Sequence, residues 1–463
     1  MTVVDKALAF AAEHMPETIG ALKEFARIPG VSANPAPNAE LARSAEFAAD
    51  WMRRVGLEAV EIIELPSVHP YVYGEWLHAP GAPTILLYAH HDVQPPGRPA
   101  FWKSPPFEPE ERAGRLYGRG VVDDKAGAAI HFAAIEAYLA SGGLPLNVKV
   151  IIDGEEEIGS ENLGTFLDRY RERLSADVIV LTDTANLSAG LPSITYGLRG
   201  IVVVMLEVQS IDHPLHSGMW GGPIPDPVMA MCKMLATLTD ENGNVTIDGV
   251  GDEIAALDPV VRERLASLPY DDATFRAEAG VLDGVELCKG NGGSTYELMW
   301  HRPSIAISAL EAAPIKGASN QIVDSARARI GVRTVPNMEG RKVAEALCAH
   351  LQKRAPWGVR VTTTIDGAGN WWMTDPKGPA FEAAERALAK GFGRDPVYIG
   401  CGGSIPFVEP FARVLGGVPA LLVGLEDPLC NAHSENESLL LADFDKAIVS
   451  AIHLYAELST LPR

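Results

Sequence analysis

The sequence predicts an α/β fold, a mixed sheet flanked by helices, interrupted by a compact inserted α+β module. Three observations predict it. Residues 84–89 (TILLYA), 148–152 (VKVII) and 178–181 (VIVL) are short, nearly continuous apolar runs, as expected of strands buried on both faces. Helical segments over 124–141 and 162–174 separate them, and strand–helix alternation builds a sheet covered on both sides. The texture then changes after Tyr196 and the alternation resumes after Gly367, so one unit is interrupted by another.

The elements follow in order. The first twenty residues, MTVVDKALAFAAEHMPETIG, carry Asp5, Lys6 and Glu13 at helical intervals and read as an amphipathic helix without the apolar core or cleavage site of a signal peptide. Between 39 and 55, Leu41, Ala45, Ala48, Trp51, Met52 and Val55 recur at three and four, and Gly56 stops the helix. After the three strands comes the inserted module. It has a strand over 200–208, a helix over 227–239 and a loop-rich charged stretch to about Leu298. An alternating strand (322–335), a helix (338–354) and a strand (359–364) complete it. The outer unit resumes with a helix (379–391), strands (397–399 and 420–423) and a helix (439–458). The expected division is 1–195 with 365–463 for the outer domain and 196–364 for the insertion. A chain of 463 residues is too long for one ordinary core.

Composition narrows the function. Lys plus Arg number 39 against 60 Asp plus Glu, for a net charge of -21. A nucleic-acid binder needs a basic footprint that this chain lacks. No stretch reaches the ~20 apolar residues needed to span a bilayer. Cys232, Cys288, Cys348, Cys401 and Cys430 are odd in number and form no C-x-x-C pair, which fits a reducing compartment and a cytoplasmic protein. No G-x-S-x-G elbow or Gly-Lys-Ser/Thr loop occurs, which disfavours a serine hydrolase and a P-loop enzyme.

Four polar clusters fall just beyond apolar strands, where open α/β sheets assemble their sites. In TILLYAHHDVQPP, His90 ends a strand and Asp92 follows two residues on; a carboxylate so placed can hold the other ring nitrogen of a metal-bound imidazole. LYGRGVVDDKAG departs from the dinucleotide fingerprint by placing Asp123 where the third Gly belongs, and a carboxylate there repels a pyrophosphate. Asp124, next to it, is the better helix cap. VKVIIDGEEEIGS sets Glu155, Glu156 and Glu157 together, a set that repels itself unless something positive lies among them; the alternative is a solvated charged loop. VIVLTDTAN places Asp183 at another strand end, and LCNAHSENE brings His433 after the strand over 420–423. Together, His90, Asp123, Glu157, Asp183 and His433 form a mixed nitrogen and oxygen set suited to Zn²⁺, Mn²⁺ or Co²⁺. Five ligands exceed the need of one catalytic zinc, and a carboxylate bridging two ions accounts for the number.

With AHHDVQP, YGRGVVDDKAG, EEEIGS, LHSGMWGG, GGSIP and NAHSENE in that order, the whole chain resembles the M20 metallopeptidases, and within them the carnosinase-like dipeptidases. The resemblance implies a zinc-exopeptidase-like catalytic domain with an inserted lid and dimerisation domain. It implies two divalent ions per subunit: His90 and Asp183 on one, Glu157 and His433 on the other, Asp123 bridging. Asp92 would orient His90, Glu156 would be the general base, and the Asp123–Asp124 peptide bond would be cis. His216, in LHSGMWGG, would stabilise the oxyanion from the partner subunit of a homodimer. Arg333 would grip the substrate carboxylate, with Asn320, Ser404 and His433 as further substrate contacts. Asn320 departs from the family's Thr-type contact, which puts its role in doubt. The implied activity is cleavage of dipeptides or other short peptides with a free carboxylate. The alternative is an N-acyl-amino-acid deacylase or desuccinylase.

Overall fold

In the computed structural model, all residues are described except 161, 252, 253, 255, 404, 406, 407 and 463, and the side chains of 409 and 412. A mixed nine-stranded sheet organises the outer unit. Its order is Glu58–Ile63, Tyr71–Trp76, Asn147–Asp153, Thr84–His90, Val178–Leu181, Ala420–Val423, Ser193–Leu198 and Trp372–Met373, with Val397–Cys401 also pairing along Ser193–Leu198. Thr84–His90 runs parallel to both of its neighbours, Asn147–Asp153 and Val178–Leu181, and the latter is parallel to Ala420–Val423. The strands that carry His90, Glu155–Glu157, Asp183 and His433 therefore end at one edge of the sheet.

Alternation explains why these strands are apolar throughout. Ile85, Leu87 and Ala89 point into one core while Leu86 and Tyr88 point into another, and Val178 with Val180 opposes Ile179 with Leu181 in the same way. The first core is covered by helices including Val3–Glu13, Ala39–Arg54, Lys125–Ser141, Pro379–Phe392 and Leu441–Leu458; the second by Leu163–Tyr170 and Val408–Val414. Each fully buried side chain of this kind stabilises the fold by about 1.5–3 kcal/mol. Lys125–Ser141 is buried nearly all round, which its Ala-rich sequence permits. Gly127 is required there: a Cβ would lie 2.1 Å from Asp124 Oδ1 and 2.3 Å from Thr182 Oγ1.

The chain leaves the large sheet at Leu198, and Gly200–Gln209 joins a second, antiparallel sheet ordered Ser304–Glu311, Ser325–Thr334, Gly200–Gln209, Arg360–Ala368. Helices Pro227–Leu235 and Gly340–Lys353 cover one face, where Val202, Val204, Ala328, Ile330 and Leu347 pack together. The other face carries Arg327 and Arg329 toward solvent, the one-sided burial expected of an antiparallel sheet.

Several expectations are corrected. The N-terminal helix is two helices, Val3–Glu13 and Met15–Ala26, divided at His14, with Pro16 in the first turn of the second. The helix expected to reach Thr239 ends at Leu235. The charged stretch before Leu298 contains three helices, Pro259–Ser267, Asp272–Glu278 and Thr295–Trp300. Their Leu265, Leu268, Tyr296 and Trp300 pack on Ile399 of the large sheet. Gly400 allows this approach, since a Cβ there would come within 2.6 Å of Trp300 Cβ.

Candidate metal centre

His90 closes its strand fully buried, in register with Asp153. Its Nδ1 lies 3.1 Å from the backbone oxygen of Asp92 and 3.3 Å from the Asp92 carboxylate. That carboxylate also accepts the backbone N–H groups of Glu156 (3.2 Å) and Glu157 (3.0 Å), so one buried residue fixes the imidazole and the acidic turn together. His90 Nε2 faces Asp123 Oδ1 at 2.9 Å and Asp183 Oδ2 at 3.9 Å.

Asp123 precedes the helix Lys125–Ser141 through a cis peptide bond to Asp124. Its second oxygen, Oδ2, faces His433 Nε2 at 3.0 Å, and His433 Nε2 is also 3.0 Å from Glu157 Oε2. The two oxygens of one carboxylate thus address two histidines from opposite ends of the chain. Glu157 is steadied by Gln94, whose backbone and side-chain N–H groups donate to it at 3.1 and 2.8 Å. Asp124 occupies the N-cap position as expected, but its side chain makes no capping hydrogen bond; it accepts the backbone N–H of His90 at 3.3 Å, which ties the helix start to the strand end.

The electrostatics test whether these residues fit cations. Burial, opposed by His90 and reinforced by neighbouring carboxylates, raises the pKa of Glu156 and Asp183 well above the usual carboxylate range. Burial opposes charge on His90, yet Asp123, Asp92 and Asp183 hold its pKa well above the ordinary value. His433 is held up to about 11 against burial by Asp123 and Glu157. So many carboxylates crowded together ionise jointly only with positive charge among them, and protons on the histidines serve where no other cation does. His91, by contrast, is pushed down to about 4 by burial and bonds Pro70 O at 2.9 Å, a structural neutral histidine. Ligand atoms within 4.8 Å of one another come from His90, Asp123 and Glu157; from His90, Glu156 and Asp183; and from Asp123, Asp183 and Glu426. Oxygen-rich sets with one imidazole suit hard or borderline divalent ions, so the donors present fit.

The sequence reading missed three participants. Glu426, beyond the strand Ala420–Val423, joins the carboxylates; only its place after a strand end in GLEDPL could have flagged it. Glu437 is fully buried, pairs with Arg119 at 2.7 Å and accepts the N–H groups of Gly120, Val122 and Asp123, holding the Asp123 loop to the His433 loop. Arg199 donates to Gly402 O at 3.1 Å, and its pKa is pushed down to about 10 by burial and by Arg333.

The remaining predicted residues lie elsewhere. Arg333, half-buried, is electrostatically coupled to Cys401 and Arg199 beside Gly402. Ser404 is outside the described residues. His216 and Asn320 meet in the inserted module, where Leu215–His216 pairs with Gln321–Ile322 and Ser217 N donates to Asn320 O at 3.0 Å; both are exposed. Within the strand Ser325–Thr334, Ser325 and Arg333 are roughly 26 Å apart at about 3.3 Å per residue, and the His216 pairing lies before the start of that strand. His216 and Arg333 of one chain thus lie toward opposite ends of that strand.

The chain is similar to known proteins. The chain is 36% identical over 360 residues, 77% of each chain, to a cysteinylglycine-S-conjugate dipeptidase of Corynebacterium striatum. It is 28% identical to the human beta-Ala-His dipeptidase, covering 94% of this chain and 89% of that one. The crystal structure of human carnosine dipeptidase 1 superposes with a TM-score of 0.90, 26% identity and full coverage of both chains. The profile of peptidase family M20/M25/M40 matches residues 86–458, which include every candidate metal ligand, and the chain belongs to that family.

Proposed function

We propose that the protein is a metallodipeptidase that hydrolyses the amide bond of dipeptides or other short peptides with a free carboxylate. The observation that carries this is the Asp123 carboxylate set between His90 and His433, with Glu157 and Asp183 beside them. The relatives compared are dipeptidases, which favours this reading over an N-acyl-amino-acid deacylase.

Two divalent ions, zinc or manganese with cobalt also competent, are the proposed cofactors. His90 and Asp183 would hold one, Glu157 and His433 the other, and Asp123 would serve both. When bound, the ions supply Lewis acidity that polarises the scissile carbonyl and lowers the pKa of water. Glu156 takes the proton of the attacking water and delivers it to the leaving amine. Asp92 keeps the His90 ring oriented through Nδ1 and holds the Glu156 backbone in place. Arg333 anchors the substrate carboxylate, Asn320, Ser404 and His433 provide further substrate contacts, and His216 donates to the developing oxyanion.

The place of His216 and Asn320 before the start of the strand whose far end carries Arg333 supports their delivery by the partner subunit of a homodimer. The edge strand Ser304–Glu311, exposed along most of its length with Ile307 and Leu310 uncovered, is suited to pair with a second copy. Residues 196–364 are then the lid and dimerisation domain, and 1–195 with 365–463 the catalytic domain. Five free cysteines support a cytoplasmic location, and no described helix is long and apolar enough to cross a membrane. Glu156→Ala tests the mechanism: metal content stays at the wild-type level while kcat falls roughly 10³-fold or more. Near-normal turnover in that variant removes Glu156 from the role of base.

A further inference from the structure

A cavity of about 710 Å³ opens beside the metal centre, and neither the motifs nor the assigned roles account for it. Glu426 belongs to both: its carboxylate lies within 4.8 Å of ligand oxygens of Asp123 and Asp183, and it also lines the cavity. Its position is fixed where its backbone oxygen accepts Asn186 N–H at 2.6 Å, just beyond Asp183. The far wall is aromatic. Tyr296 and Trp300 stack with centroids 4.7 Å apart, Tyr270 meets Tyr296 edge-on at 5.7 Å, and Phe275 adjoins Tyr270 at 6.0 Å. Tyr296 is locked by its hydroxyl, which donates to Pro269 O at 2.7 Å.

The charge of the lining sorts the two ends of a dipeptide. Among the described residues no Lys, Arg or His lines the cavity, whereas Glu426, Glu278 and Asp271 do; Asp427 also lines it but is paired with Arg115 at 2.5 Å. The guanidinium groups of Arg199 and Arg333 lie beyond the Cys401–Gly402 wall and suit the carboxylate end. Covalent geometry is compatible: the α-amine and the Cβ of the N-terminal residue are each about 2.5 Å from the scissile carbonyl carbon, so its side chain can enter a cavity touching the metal centre.

We propose that this cavity is the subsite for the side chain of the substrate's N-terminal residue, with Glu426 facing its free α-ammonium group, and that the enzyme selects peptides whose N-terminal side chain is bulky and apolar or aromatic. The proposal rests on the dipeptidase reading. Aromatic walls bury large apolar groups and pair with aromatic rings edge-on or stacked, and a volume of this size exceeds what Gly or Ala fills. The acidic rim disfavours an anionic side chain.

The test uses metal-loaded enzyme and a series X-Gly with X as Gly, Ala, Leu, Phe, Trp and Glu. Burial of a large side chain is expected to raise kcat/KM by about 30-fold or more from Gly-Gly to Phe-Gly, and Glu-Gly to trail Leu-Gly by about tenfold. Ala279→Trp, at an exposed lining position, fills the cavity: Phe-Gly and Trp-Gly fall about tenfold or more, and Gly-Gly stays within about twofold. Phe275→Ala, the second variant, lowers the preference for Phe-Gly by removing wall area. A flat profile with Gly-Gly cleaved as well as Phe-Gly, or equal losses for Gly-Gly and Phe-Gly in Ala279→Trp, overturns the proposal and leaves the dipeptidase reading standing. Absence of cleavage throughout the series, with N-acyl amino acids cleaved instead, overturns both.

Discussion

The ends of the large sheet and the inserted four-stranded module offer two ways of placing a reactive side chain. At the sheet ends, His90, Asp92 and Asp123 are buried and each is held by at least two partners, at the cost of crowding carboxylates together. In the module, His216 and Asn320 stand exposed at a two-residue pairing before the start of the strand whose far end carries Arg333. The first arrangement builds a preorganised charged site in one chain. The second presents groups outward, for a site in another chain. The outer unit concentrates the buried charge, and the proposed partner subunit would complete the oxyanion and substrate contacts.

Variants separate the two arrangements. His216→Ala is expected to lower kcat roughly 100-fold without loss of metal, as for removal of an oxyanion donor. Mixing that inactive chain with Glu156→Ala chains, which keep His216, restores a measurable part of the activity if each site borrows from its partner. No recovery after subunit exchange would place His216 in its own chain's site. Arg333→Ala is expected to reduce kcat/KM about 30-fold for dipeptides, and far less for amidated substrates that lack the carboxylate. Equal losses for both substrates would remove Arg333 from carboxylate recognition.

The smallest effect concerns stability. His131, buried in the central helix, is pushed down to about 4 by burial, against a partial offset from Tyr88 O. The unfolded chain therefore binds a proton near pH 6.5 that the folded chain refuses until about pH 4. The stability this neutral histidine contributes is complete above pH 6.5 and declines as pH falls, by about 2 kcal/mol between pH 6.5 and 5. Denaturant melts of the metal-loaded His131→Gln variant should show a shallower decline over that interval; an unchanged slope would contradict the assignment.

What the sequence revealed follows the same division. Strands such as Val178–Leu181 are legible because both faces are buried and every residue is apolar. Glu58–Ile63 was missed because it is largely exposed and polar, and Ser304–Glu311 because it is uncovered on both sides, so neither shows a buried pattern. The helices Asp272–Glu278 and Thr295–Trp300 are too short to display helical periodicity and depend on packing against the large sheet. Within the metal centre, His90, Asp123, Glu157, Asp183 and His433 stand in motifs beside strand ends. Glu426 and Glu437 do not differ in type from the many surface acids, and only proximity in space distinguishes them.

Everything depends on Asp123 acting as a common ligand, and metal content measures that directly. Protein saturated with Mn²⁺ or Zn²⁺ and freed of loosely bound ions should carry two ions per wild-type chain, with Asp123→Asn losing tight binding of both and Glu157→Gln losing mainly one. A wild-type chain that holds a single ion, or an Asp123→Asn chain that keeps two, would contradict the account.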